Sequence, residues 1–186
     1  MFLKLPIYIK PFILLIVYFI LYILTIYFVN TIVSTENIFI EISAAFALVW
    51  TLMLVGFFFY QTYKKVYLPK KYYSPKSFEN AQFYERLGIV FFQYCLVNSF
   101  FKYMNPRVYL KQRGRQYLEL FYNETKQSET SHIISGLVTL GIQILLFCWQ
   151  EYTAAISLTI FTVIFNLYPF FLQRYNRLKL NRLFDK

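Results

Sequence analysis

The chain has 186 residues, of which 58% are apolar, where a soluble domain usually holds about 45 to 50%. Its 19 Lys and Arg against 9 Asp and Glu give a net charge of +10, and its apolar residues fall in long uninterrupted blocks without helical or strand periodicity. This pattern excludes a soluble enzyme. The two cysteines, Cys95 and Cys148, sit inside apolar blocks and exclude a disulfide scaffold, and the single histidine, His132, excludes a multi-histidine metal site. A small multi-span membrane protein remains.

Residues 12–29 (FILLIVYFILYILTIYFV) carry no charge and at about 1.5 Å per residue cover roughly the hydrocarbon thickness. The run is longer than a signal-peptide core, and residues 30–35 offer no small-x-small cleavage site, so an uncleaved anchor is expected. Residues 42–60, 133–149 and 152–172 meet the same test of length and charge. Only Gln150 and Glu151 separate the last two, which predicts a tight antiparallel hairpin. Residues 87–101 (LGIVFFQYCLVNSFF) are short for a crossing and contain Gln93 and Asn98. Left on one side, this block lets all 19 basic residues fall on the cytoplasmic face, opposite Glu36, Glu41 and Glu151. As a crossing it would carry the basic residues between Lys102 and Lys126 outside.

The expected architecture is an all-α membrane protein in a single domain over residues 1–186, with four transmembrane helices, one re-entrant or interfacial helix at 87–101, and both termini cytoplasmic. Its basic residues should lie against membrane lipids, on anionic head groups at the cytoplasmic side of the cell membrane. Because topology alone explains the charge, nucleic acid is not expected as a partner.

Three polar clusters lie at the boundaries of these spans. Glu129 and His132 are three residues apart at the mouth of the third span, so on a helix the carboxylate can orient the imidazole as a general base. The plain reading is a helix cap, with Ser128, Thr130 and Ser131 as cap formers. At the end of the fourth span, Asn166, Tyr168 and Pro169 precede Gln173, Arg174, Tyr175, Asn176 and Arg177. Pro169 should kink the helix and free a carbonyl near Phe165, and two arginines can grip a phosphate or carboxylate. A positive-inside stop with an aromatic belt explains Arg174, Tyr175 and Arg177 equally, but leaves Gln173 and Asn176 unexplained. The third cluster is Glu85 and Arg86 with Gln93 and Asn98, where a local salt bridge is the plain alternative. Hairpin geometry predicts that Glu129 and His132 meet Gln173 to Arg177 at the inner interface, with Glu85 brought to Arg174 or Arg177.

The stretches FENAQFYERLGI, NETKQSETSHI and FNLYPFFLQRYNRLKL, within Phe78 to Leu183, resemble the glycosyl-4,4'-diaponeurosporenoate acyltransferase family. The most specific parts are Glu124-Thr125-Lys126 followed by Glu129-x-x-His132, and Gln173-Arg174-Tyr175-Asn176-Arg177-x-Lys179-Leu180. Departures occur at Ile133, where tryptophan is expected, and at Leu178, where proline is expected. The resemblance implies a small bacterial membrane protein of staphyloxanthin-type carotenoid synthesis that esterifies a sugar hydroxyl with a fatty acyl chain.

With that resemblance, the expected activity is acyl transfer to a glycosylated isoprenoid or another lipid, with no bound cofactor and an acyl thioester as co-substrate. Chemistry and proximity then suggest His132 as base, Glu129 as its orienter, Arg174 and Arg177 as substrate-anion ligands, and Gln173 or Asn176 as oxyanion donor, with Glu85 and Tyr175 lining the site. Two alternatives stand beside this. One is a non-catalytic subunit or lipid-binding adaptor of a membrane-protein partner, suggested by the 42 aromatic residues. The other is a different lipid or isoprenoid transferase, such as a methyltransferase.

Overall fold

The computed structural model describes residues 9–62, 68–99 and 114–184. Among these there are helices and connecting turns only: α1 (Ile9–Ser34), α2 (Ile38–Thr62), α3 (Lys70–Tyr73), α4 (Ala81–Arg86), α5 (Ile89–Asn98), α6 (Arg115–Cys148), α7 (Tyr152–Thr162), a π-helical turn (Val163–Leu167) and α8 (Tyr168–Phe184). Four stretches are long and apolar enough to cross a membrane: Ile13–Ser34, Ile38–Phe59, Arg115–Cys148 and Tyr152–Phe184. The protein is an all-helical membrane protein.

The four expected spans are all present, but α6 and α8 run well past their apolar parts. The polar extensions are rich in Arg, Gln, Glu and Lys, which lose little freedom in a helix, so nothing there stops the chain from continuing. Helix α5 has ten residues and extends about 15 Å, half a bilayer core and less than a crossing needs. Gly88, with φ of 74°, separates it from α4. Phe100 and Phe101, which close the expected block, and the basic residues from Lys102 to Arg113 lie outside the described residues.

The chain forms two compact units. The first holds α1, α2 and residues 131–166. Its core is Ile32, Leu48, Val49, Leu52, Leu146 and Leu158 with four alanines, Ala44, Ala45, Ala154 and Ala155. Within lipid, where apolar area alone gives little drive for helices to associate, such small residues let backbones approach closely. Gly56 carries this furthest: a Cβ there would stand 2.6 Å from the Ser131 carbonyl oxygen and 3.1 Å from Ser135 Cβ.

The hairpin within this unit ends α6 in a Schellman arrangement. Glu151 N–H donates to Leu146 O at 3.0 Å and Gln150 N–H to Phe147 O at 3.1 Å, with Gln150 left-handed at φ 65°. Further along, the ring of Pro169 would clash with the Phe165 carbonyl in a continuous α-helix. The irregularity expected there takes the form of the π turn at Val163–Leu167, whose wider winding absorbs the conflict while the helix continues.

The second unit comprises residues 65–130 and 167–186. Tyr84, Ile89, Leu172 and Tyr175 form its apolar core, with Phe92 and Tyr168 packed against it. Asn80 caps α4, its Oδ1 accepting from Phe83 N–H at 2.8 Å.

Candidate functional site

In the second unit, α8 presents Arg174 and Arg177 one turn apart. Both are buried, at 7% and 2% exposed. Buried charge in a protein interior needs partners close at hand, and two carboxylates supply them. Arg174 makes a two-pronged bond to Glu79, Nε to Oε1 at 2.5 Å and Nη2 to Oε2 at 2.7 Å, and donates from Nη1 to Glu129 Oε1 at 2.8 Å. Arg177 donates from Nη2 to Glu129 Oε2. Two carboxylates and two guanidiniums thus form a neutral buried quartet.

The segment carrying α3 is fastened to the same arginines. Arg174 Nη1 donates to Tyr72 O and Arg177 Nε to Tyr73 O, each at 3.3 Å, so the guanidiniums take up carbonyls at the end of a short helix. Leu68 N–H donates to the Tyr73 hydroxyl at 3.0 Å, and Thr130 Oγ1 donates to Lys126 O at 2.9 Å. The 2.7 Å bond between the two hydroxyls therefore runs from Tyr73 to Thr130. Glu79 is seated by Lys76 N–H at 2.7 Å and the Tyr84 hydroxyl at 3.0 Å.

These contacts fix protonation in the loop. Burial pushes the Glu79 carboxyl up, but the bonds from Arg174, the Lys76 N–H and Tyr84 outweigh it and hold the group below its ordinary 4.5. Burial, then the neighbouring Glu129 carboxylate, pushes the Tyr72 phenol up to about 12. Burial and Glu79 raise Tyr84 as well. Both phenols stay protonated as donors.

In the first unit, His132 faces Asn166, Nδ1 to Oδ1 at 3.4 Å. Asn166 is 3% exposed and lies in the π turn. An amide oxygen only accepts, so Nδ1 carries a proton, and in the neutral imidazole Nε2 then holds the lone pair. Further along the same helix pair, Gln143 Nε2 donates to Thr162 Oγ1 at 3.3 Å.

The residues singled out in the sequence fall as follows. Glu129, Arg174 and Arg177 meet in the quartet, and His132 meets Asn166. Gln173 is buried, Tyr175 is buried with its ring 5.5 Å from that of Tyr84, and Asn176 Oδ1 accepts from Gln93 Nε2 at 3.5 Å. Glu85 and Arg86 are exposed, and the carboxylate on Arg174 beside Glu129 is that of Glu79, six residues before Glu85. Asn166 belongs to the polar cluster expected at the end of the fourth span, whereas Glu79 stands in no such cluster in the sequence. The available signal for Glu79 was its place as the only acid between Glu41 and Glu85. Among the described residues no group of acids, cysteines and histidine is arranged to hold a metal ion.

A family model described as glycosyl-4,4'-diaponeurosporenoate acyltransferase matches residues 69–186, more than half of the chain. The matched region takes in the whole quartet, His132 and Asn166, while α1 and α2 precede it. No curated protein and no solved structure matches. The chain belongs to the glycosyl-4,4'-diaponeurosporenoate acyltransferase family, a family of membrane acyltransferases.

Proposed function

We propose that this protein transfers a fatty acyl group from an acyl thioester to a hydroxyl of a glycosylated isoprenoid, or of another lipid with a sugar head, at the cytoplasmic face of the cell membrane. The observation that carries this reading is the family match over residues 69–186, which takes in His132, whose Nδ1 faces Asn166 and leaves Nε2 for the role of base in this proposal. The acceptor oxygen attacks the thioester carbonyl carbon while its proton passes to His132 Nε2. The carbon–sulfur bond then breaks, and the departing thiolate takes the proton from the imidazolium. Ester and free thiol are the products.

In this proposal the quartet of Glu79, Glu129, Arg174 and Arg177 serves as the fixed frame of the second unit. Each guanidinium already has a carboxylate partner, so the cations act through the fold and not as anion ligands. The basic residues around them face anionic head groups at the cytoplasmic surface.

The test uses the purified chain in lipid nanodiscs with a labelled acyl thioester and a glycosylated carotenoid, following ester by mass spectrometry and thiol release by absorbance. His132→Ala should lower kcat by about 10² to 10⁴, the usual share of a positioned base, with membrane insertion unchanged. Full turnover by that variant would remove His132 from the chemistry. Absence of transfer by the parent, together with stable co-purification of one membrane protein, would favour the adaptor reading instead.

A further inference from the structure

The helix pair carrying His132 contains a row of polar side chains, and three of its threonines are satisfied internally. Thr139 Oγ1 donates to Ser135 O at 2.8 Å, Thr159 Oγ1 to Ala155 O at 2.7 Å, and Thr162 Oγ1 to Leu158 O at 2.6 Å. This return to the preceding turn is the ordinary fate of a hydroxyl in an apolar helix. Ser135 is the exception. It is 1% exposed, it lies one turn from His132, and its Oγ has no hydrogen-bond partner.

Asn166 shows the same pattern. Its Oδ1 faces His132, while its Nδ2, in a side chain 3% exposed, has no partner. A buried amide or hydroxyl left unpaired is costly in apolar surroundings, so two beside one histidine call for a common explanation. Asn166 also sits in the π turn, a distortion that often accompanies functional sites in helices. Ser135 lies three residues after His132, so their Cβ atoms stand about 5 to 6 Å apart, and Asn166 meets the same imidazole from the π turn.

We infer that Asn166 Nδ2 and Ser135 Oγ are a donor pair for the carbonyl oxygen of the acyl group, with Asn166 also setting the tautomer of His132 through Oδ1. The inference rests on the acyl-transfer reading and deepens it. As the acceptor oxygen attacks, the carbonyl carbon becomes tetrahedral and its oxygen takes up the negative charge. Two fixed donors, buried away from water, stabilise that charge without having to reorient. When the carbon–sulfur bond breaks, the charge returns through the carbonyl to the departing sulfur.

The experiment compares Ser135→Ala and Asn166→Asp with the parent protein in nanodiscs, using one acyl thioester and one glycosylated isoprenoid acceptor. Asn166→Asp keeps an oxygen toward His132 and replaces the donor by a second carboxyl oxygen, and a pH profile separates loss of the donor from the effect of the added acid. Each variant should lower kcat about 10² to 10³-fold with KM within about twofold, the signature of an interaction made in the transition state. Ser135→Ala suits a helix and carries the test alone if Asn166→Asp does not fold, as judged by melting. Parent activity with undiminished kcat in Ser135→Ala, or a raised KM at constant kcat, would overturn the donor pair and leave acyl transfer standing. A parent inactive toward every thioester tried would overturn acyl transfer itself and the donor pair with it.

Discussion

Glu129 is fully buried, and its two oxygens divide between two arginines. Replacing it by Gln keeps shape and removes charge. Arg174 would still hold the Glu79 fork, whereas Arg177 would keep only the Tyr73 carbonyl at 3.3 Å and the face of the Tyr73 ring, 5.2 Å from its guanidinium carbon. A guanidinium buried without its counter-charge costs about 3 to 5 kcal/mol. At about 2 to 4 °C per kcal/mol for a chain of this size, Glu129→Gln should melt about 6 to 20 °C lower. Glu79→Gln should cost less, because Arg174 keeps Glu129 and Arg177 is untouched. A double variant, Glu129→Gln with Arg177→Met, removes the stranded charge and should recover most of the loss, since exchanging a buried pair for apolar groups is often close to neutral. Melting followed by circular dichroism in one detergent checks all three. A Glu129→Gln protein melting within about 2 °C of the parent, or a double variant worse than the single, would refute the claim that this carboxylate compensates Arg177.

Three further outcomes are expected. Glu79 has a folded-state value below its ordinary 4.5, so the stability it adds is complete above that pH and is lost as pH falls through the depressed value. The gap in melting temperature between parent and Glu79→Gln should therefore close on acidification, and a gap that stays constant would remove this role. At Gly56 a methyl group would meet a main-chain oxygen at 2.6 Å, so Gly56→Ala should force the two helices apart and cost about 1 to 3 kcal/mol in the same assay. Single cysteines introduced at Lys111 or Lys126 should be labelled only from the cytoplasm; labelling from outside would make the segment around α5 a crossing.

The spans were legible because eighteen uncharged residues in a row have few other fates, and the hairpin because two residues cannot join distant helices. Helix ends were less legible. The third span begins at Ile133 by hydropathy, yet α6 begins at Arg115, since hydropathy marks where lipid is tolerated and hydrogen bonding decides where a helix stops. Glu129 drew attention through its spacing from His132, but its partners lie 45 and 48 residues away, and helical spacing carries no information at that range. Glu79 sits in a loop, where no periodicity distinguishes a buried carboxylate from a solvated one; the more visible Glu85 is exposed. Gln173 and Asn176, too polar for a simple anchor, are both buried.

The length of α6 bears on the bilayer itself. Thirty-four residues extend about 51 Å, roughly 20 Å beyond a typical hydrocarbon core, so one end must stand among head groups and water. A helix longer than the hydrocarbon core meets hydrophobic mismatch by tilting, by standing out of the bilayer or by locally thickening it. Bilayer thickness would then set the depth at which the His132 and Asn166 pair stands relative to the head groups.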